Sequence, residues 1–136
     1  MSQEKNQREA KRWLKQAGSD LQAARDSSRT SHYEWACFQA QQAAEKAMKS
    51  LWYHMSYEPW GHSLVKLVED IPDSLLRDEL TDIEEHAKSL DKLYIPTRYP
   101  NGLPDLTPSD VYTKSEADTA IESAQKILDE VSKLAG

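Results

Sequence analysis

Apolar residues along this chain recur at intervals of three and four, the spacing that lines one face of an α-helix. The first periodic segment runs from about Arg8 to Asp26, where Ala10, Trp13, Leu14, Ala17, Leu21 and Ala24 form one stripe and charged residues fill the other face. Residues 1–7 read as a polar N-terminal tail and 8–136 as a single helical domain. Gly18 lies inside the stripe and costs roughly 1 kcal/mol relative to alanine, for which a close helix contact is one reason. The polar run from Asp26 to Ser31 reads as a loop.

Ser31-His-Tyr-Glu34 has the pattern of a capping box and predicts a second helix from about His32 to Met55. Its apolar residues, from Trp35 and Phe38 through Ala43, Ala44 and Met48 to Trp52, exceed one narrow stripe, so this helix is expected to be central or covered by a second subunit. Pro59 and Gly61 punctuate the chain after it. A short helix is expected over about His62–Ile71, and a longer one from Pro72-Asp73 to about Tyr94 carrying Leu75, Leu80, Ile83, Ala87 and Leu90. Periodicity then stops between Ile95 and Ser109, a stretch holding Pro96, Pro100, Gly102, Pro104 and Pro108. Loops this long are uncommon in compact bundles without a role, and its Ile95, Tyr99, Leu103 and Leu106 suit an ordered loop docked on the bundle. Thr113-Lys-Ser-Glu116 is a second capping box, opening a last helix from about Ser115 to Leu134. The pattern gives an all-α fold: an antiparallel bundle of four to five helices with a long ordered loop before the last one.

Composition agrees, with 4 glycines in 136 residues and an abundance of good helix formers. The formal net charge of -6 argues against a strong nucleic-acid binder, while leaving room for a local basic pocket. No stretch approaches the roughly 18 apolar residues of a membrane span, and the polar first dozen residues lack a signal-peptide core. One cysteine, Cys37, excludes an internal disulfide and points to a reducing, cytoplasmic setting.

Candidate chemistry is sparse. Phosphate-loop, nucleophile-elbow and zinc-protease motifs are missing, and none of His32, His54, His62 and His86 has a second ligand at metal-binding spacing, so neither metal nor cofactor is expected. Cys37, on the apolar second helix, reads as a small core residue. That helix also carries Gln41, Gln42, Glu45, Lys46 and Lys49, with Glu45 and Lys49 spaced to pair. The strip is either a solvated face or the lining of a cleft. Trp52, Tyr53, Tyr57 and Trp60 are either a contact patch or core.

The order of four segments carries a resemblance. Glu9-Ala-Lys-Arg-Trp-Leu-Lys-Gln-Ala17, the second helix, Gly61-His-Ser-Leu64 and Leu90-Asp-Lys-Leu-Tyr-Ile-Pro-Thr-Arg-Tyr-Pro100 resemble the HEPN family, the higher eukaryotes and prokaryotes nucleotide-binding domain. Within it the likeness is to the HEPN domain at the sacsin C-terminus and to stand-alone prokaryotic members, and it spans about Arg8 to Leu134. The resemblance implies a helical bundle, usually a homodimer. It implies binding of a nucleotide of the ATP or GTP kind or, in some branches, metal-independent RNA cleavage. It also implies partners such as a nucleotidyltransferase in toxin–antitoxin pairs, or a chaperone.

Arg98 and Tyr99 match the family's Arg-Tyr-Pro loop. The Arg98 guanidinium suits phosphate oxygens; alternatively it pairs with a carboxylate such as Asp91 or Glu45 and pins the loop. Asp91 and Tyr94 would orient it. His62 matches a family position, as helix-start residue or as acid or base. The ligand-binding set expected is Arg98, Tyr99, Asp91, Lys46, Lys49, Lys92 and His62. The ribonuclease branch places a histidine four to six residues after its arginine. No histidine follows Arg98 here, so the expected function is a non-catalytic, dimerising module that binds a nucleotide or other phosphate-bearing ligand. A protein-interaction module is the alternative, with a ribonuclease toxin behind it.

Overall fold

The computed structural model describes residues 3–135; Met1, Ser2 and Gly136, at the two ends of the expected tail and domain, lie outside the described residues. Seven α-helices are present among them: α1 (Gln3–Arg29), α2 (Tyr33–His54), α3 (Leu64–Glu69), α4 (Ser74–Glu79), α5 (Glu84–Asp91), α6 (Pro108–Val111) and α7 (Lys114–Ala135). No described residue is in a strand, so the fold is all-α.

Helices α1 and α2 form an antiparallel hairpin. Ser50 Oγ donates to the Ala10 carbonyl at 2.6 Å, Lys46 pairs with Asp20, and Ser27 bonds Gln39, so residue numbers fall along one helix as they rise along the other. α7 packs along both, and α3 and α5 close the remaining side. Ala36, Ala40, Ala43, Ala44 and Ala47 of α2 are all fully buried. Small side chains let the neighbouring backbones approach closely, which is how α2 is covered from more than one direction.

The helix ends explain where the structure departs from the periodic pattern. α1 starts at Gln3, so residues 3–7 are helical rather than a tail: Asn6 is buried and Gln7 donates to the His54 carbonyl at 3.1 Å. α1 also runs past Asp26 and stops in a Schellman motif, with the His32 N–H reaching the Ser27 carbonyl and the Ser31 N–H that of Ser28. Ser31 takes the left-handed conformation that this motif needs, φ 66°. It is therefore committed to ending α1 and cannot cap α2; His32 occupies the cap position without a side-chain bond. Ser56, also at φ 66°, ends α2 the same way. Gly18 faces open space, so no close helix contact accounts for it.

The expected helix from Pro72 to Tyr94 is broken. Asp73 caps α4 through the Leu75 and Leu76 N–H groups, and Thr81 Oγ1 donates back to the Asp78 carbonyl where a 3₁₀ turn (Thr81–Ile83) intervenes. The break re-aims the apolar positions: Leu80, Ile83, Ala87 and Leu90 are buried, whereas Leu75 stays 75% exposed. The capping box before α7 is formed as read, with reciprocal bonds between Thr113 and Glu116. The loop between α5 and α6 is anchored by Thr97, which is buried and donates to the Leu93 carbonyl at 2.7 Å. Ile95, Tyr99 and Leu106, expected to pack, are about half exposed.

Candidate functional site

Glu34, Gln41, Glu45 and Lys49 are buried polar positions on α2. Glu45 is 3% exposed, so its charge needs donors. It has three: Gln41 Nε2 at 3.3 Å on Oε1, and Lys49 Nζ at 3.2 Å and His62 Nδ1 at 3.3 Å on Oε2. Of the strip that sequence left between solvated face and cleft lining, Gln41, Glu45 and Lys49 therefore form an internal polar cluster whose outward member is His62, with a side chain 60% exposed. A carboxylate acceptor at Nδ1 requires that nitrogen to carry the proton in the neutral ring, so Nε2 is left as the base.

His62 lies flat on Tyr94, ring centroids 4.9 Å apart and planes 17° apart. The Arg98 guanidinium stands 4.7 Å from the centre of the same tyrosine ring. It is also 4.4 Å from the Phe38 ring and 5.3 Å from that of Tyr99. Its Nε donates to the Tyr94 carbonyl at 2.9 Å. Among the described residues no carboxylate pairs with it and nothing engages its two terminal nitrogens. Of the two roles left open for Arg98, the carboxylate-pinned one is not what the structure has. The loop is held by backbone and ring contacts instead, and the planar fork is left presented.

The expected set thus divides. Arg98, Tyr99 and His62 come together around Tyr94, with Lys49 behind them neutralising Glu45. Tyr94 orients Arg98 through its carbonyl and its ring, as expected. Asp91 does not. Its carboxylate turns the other way and caps α3, accepting from Ser63 Oγ at 2.9 Å, Leu64 N at 2.7 Å and Val65 N at 3.0 Å. Lys46 faces α1 and pairs with Asp20. Lys92 borders a separate cleft with Tyr112 and Glu116, between α5 and α7. Among the aromatics of the contact patch, Trp52 is half-buried with its Nε1–H on the Leu67 carbonyl and Tyr53 leans on Trp13, while Tyr57 and Trp60 are exposed.

Two roles were not anticipated from sequence: Phe38 as the ring under Arg98, and Glu45 as the carboxylate behind His62. Phe38, Gln41 and Glu45 follow at helical spacing on one face of α2, which is the signal that would have joined them. Cys37 is fully buried, and burial followed by the nearby Glu116 and Glu34 charges pushes its thiol up to about 12, so it stays protonated and inert at neutral pH. The described residues hold no group of three or more His, Cys, Asp and Glu side chains placed for a metal ion. None of the described helices is long and apolar enough to cross a membrane.

The HEPN domain family model matches residues 10–134, and the chain belongs to that family. Among solved structures it is similar to TT1696 from Thermus thermophilus, with 45% identity, 91% of this chain and 96% of that one covered, and a TM-score of 0.86. It is also similar to ST0689, an archaeal HEPN homologue, at 38% identity, 93% and 98% coverage and a TM-score of 0.77. A HEPN domain protein from Thermotoga maritima shows 31% identity, 90% and 96% coverage and a TM-score of 0.71. A Methanocaldococcus jannaschii protein named "Putative toxin MJ1304" is 26% identical over 130 residues, covering 88% of this chain and 84% of that protein.

Asp91 is a structural cap, so Asp91→Ala is expected to lower stability by about 1–3 kcal/mol, the cost of leaving capped donors unsatisfied. Urea unfolding measures this. An unchanged midpoint would mean that water replaces the cap without loss.

Proposed function

We propose that this HEPN module binds a nucleotide or another phosphate-bearing ligand at Arg98 and works as a non-catalytic homodimer. The observation that carries the reading is the Arg98 guanidinium, stacked among Phe38, Tyr94 and Tyr99 with only its Nε engaged. Stacking fixes the plane of the fork at little further entropy cost, and the terminal nitrogens are free to meet two phosphate oxygens side by side. Tyr99, half exposed beside it, offers a hydroxyl or a ring face to the same ligand. Trp35, which meets Phe38 edge-on, and Ile95 and Leu106 of the loop are large apolar side chains left exposed, of the kind that a second copy would cover.

Calorimetric titration with ATP and GTP tests the ligand. Wild type is expected to bind and Arg98→Ala to lose about tenfold or more in affinity, as for a charge-assisted bidentate pair. Absence of heat from wild type at millimolar nucleotide removes the reading. Sedimentation tests the assembly: a dimer is expected at micromolar protein, and a monomer at every concentration refutes it.

A second reading, metal-independent RNA cleavage, is favoured by one placement and by the toxin name of the Methanocaldococcus jannaschii relative. No histidine follows Arg98 in sequence, yet His62, held at Nδ1 by Glu45, stacks on the same tyrosine that the Arg98 guanidinium meets. There Nε2 would take the proton of a 2′-hydroxyl as its oxygen attacks the adjacent phosphorus. Arg98 would hold the charge gathering on the phosphoryl oxygens while the 5′-oxygen leaves with a proton from solvent. In a cleavage assay on RNA, cutting by wild type but by neither His62→Ala nor Arg98→Ala would replace the binding reading with this one. No cutting by wild type is the result expected.

A further inference from the structure

Large apolar side chains are left exposed at two separated places. Trp35 and Tyr99 gather around Phe38 and Arg98 near the start of α2. Tyr57 and Trp60 stand just past its end: the Tyr57 N–H donates to the Trp52 carbonyl at 3.0 Å, and Trp60 lines a cleft with Trp52. From Trp35 to Trp52 the helix advances roughly 25 Å. Tyr57 is 52% exposed and Trp60 84%, and Trp60 stacks on no aromatic ring among the described residues. Slack chain does not explain this. Pro59 is buried and Gly61 takes φ 88°, a conformation closed to most side chains, so the backbone holds Trp60 outward.

The second place extends onto α4. Asp70 lines the Trp60 cleft together with Lys66, and shortly after it Ser74 and Leu76 line a groove of about 690 Å³ with Met55, Tyr57 and Leu134. α4 buries none of its own residues. Its Leu75 is 75% exposed, and Asp78 and Glu79, exposed as well, follow at the spacing that puts them on the same helix face. Charge is concentrated here too. Residues 57–91 hold ten Asp and Glu against three Lys and Arg, so this stretch alone outweighs the chain's net charge of -6. Among the described residues none of those ten carboxylates is in a salt bridge.

We propose that this surface docks a basic segment of a different protein, with the segment's apolar side chains on Tyr57, Trp60 and Leu75 and its Lys or Arg side chains on Asp70, Asp78 and Glu79. The proposal is independent of the phosphate-binding reading of Arg98. Exposed apolar groups set among unpaired carboxylates are complementary to a partner that carries apolar groups among cations. A guanidinium or ammonium group is also attracted to the face of an indole, and Trp60 has its face free. The same negative charge repels nucleic acid and an anionic membrane. A second copy fits in neither arrangement. Face to face, carboxylates would meet carboxylates; head to tail, each added copy would leave an acidic surface open for the next.

Fluorescence anisotropy of a dye-labelled amphipathic peptide, with leucine and lysine at helical spacing, measures docking, and a counterpart with glutamate for lysine is its control. The lysine peptide is expected to bind wild type and the glutamate peptide to stay free. Trp60→Ala and Leu75→Ser are each expected to weaken the lysine peptide at least about fivefold, as for an interface anchor. Asp78→Lys combined with Glu79→Lys should weaken it and flatten its salt dependence. Arg98→Ala and Trp35→Ala should bind it as wild type does. Equal affinity for the two peptides overturns the proposal, as does binding that none of the surface variants changes, or no binding by wild type at millimolar peptide. Sedimentation tests the choice of partner: a wild-type dimer that Leu75→Ser converts to monomer means that a second copy covers this face, and overturns it. Trp60 and Leu75 are exposed, so their variants are expected to melt with wild type.

Discussion

The burial of Glu45 constrains more of this molecule than any other single contact. A carboxylate removed from water is tolerated only with its lone pairs met by donors, and removing one partner of such a buried pair commonly costs about 3–5 kcal/mol. Gln41 and Lys49 meet it from within α2, one turn before and one turn after. The third donor, His62, arrives from the turn that opens α3. The requirement thus fixes where the chain must re-enter after α2, and with it the position of a histidine ring. Tyr94 covers that ring, and Arg98 stacks on Tyr94. An unbroken series of contacts runs from a buried charge to a half-buried one.

The bundle around it supports this arrangement through two complementary devices. Alanines along α2 bring α1 and α7 close, so the helix carrying Glu45 is clamped on its apolar sides. Asp91 at the end of α5 binds the first N–H groups of α3, so the element that brings His62 and the element that leads to Tyr94 and Arg98 are tied to each other. The Arg98 loop needs no ion pair to hold it, since Thr97 and the Tyr94 carbonyl anchor it from either side. That leaves the guanidinium its charge and most of its donors, the condition under which an arginine recognises an anion rather than a neighbour.

The chain belongs to the HEPN family, and the surroundings of Arg98 are particular to its own packing. Here Arg98 stands among rings, one of which also stacks on a carboxylate-held histidine. On the reading proposed above, such a site orients phosphate.

The helical class, the central place of α2 and the capping box before α7 were all legible in the chain, because periodicity and local capping act within a few residues. The Thr97–Pro100 segment was singled out too, by resemblance alone. Contacts between distant segments were not. Ser31 looked like the cap of α2, but the geometry of the α1 stop claimed it. The break near Leu80 was set by which leucines could reach the core. Asp91 looked like a partner of Arg98 and is a helix cap, while Phe38, Glu45 and His62 converge from α2 and the turn before α3. Sequence determined which residues could stack, pair or cap, since those are properties of the side chains themselves. Only the tertiary structure decided which of them would, because a side chain's partner is chosen by the packing of helices far apart along the chain.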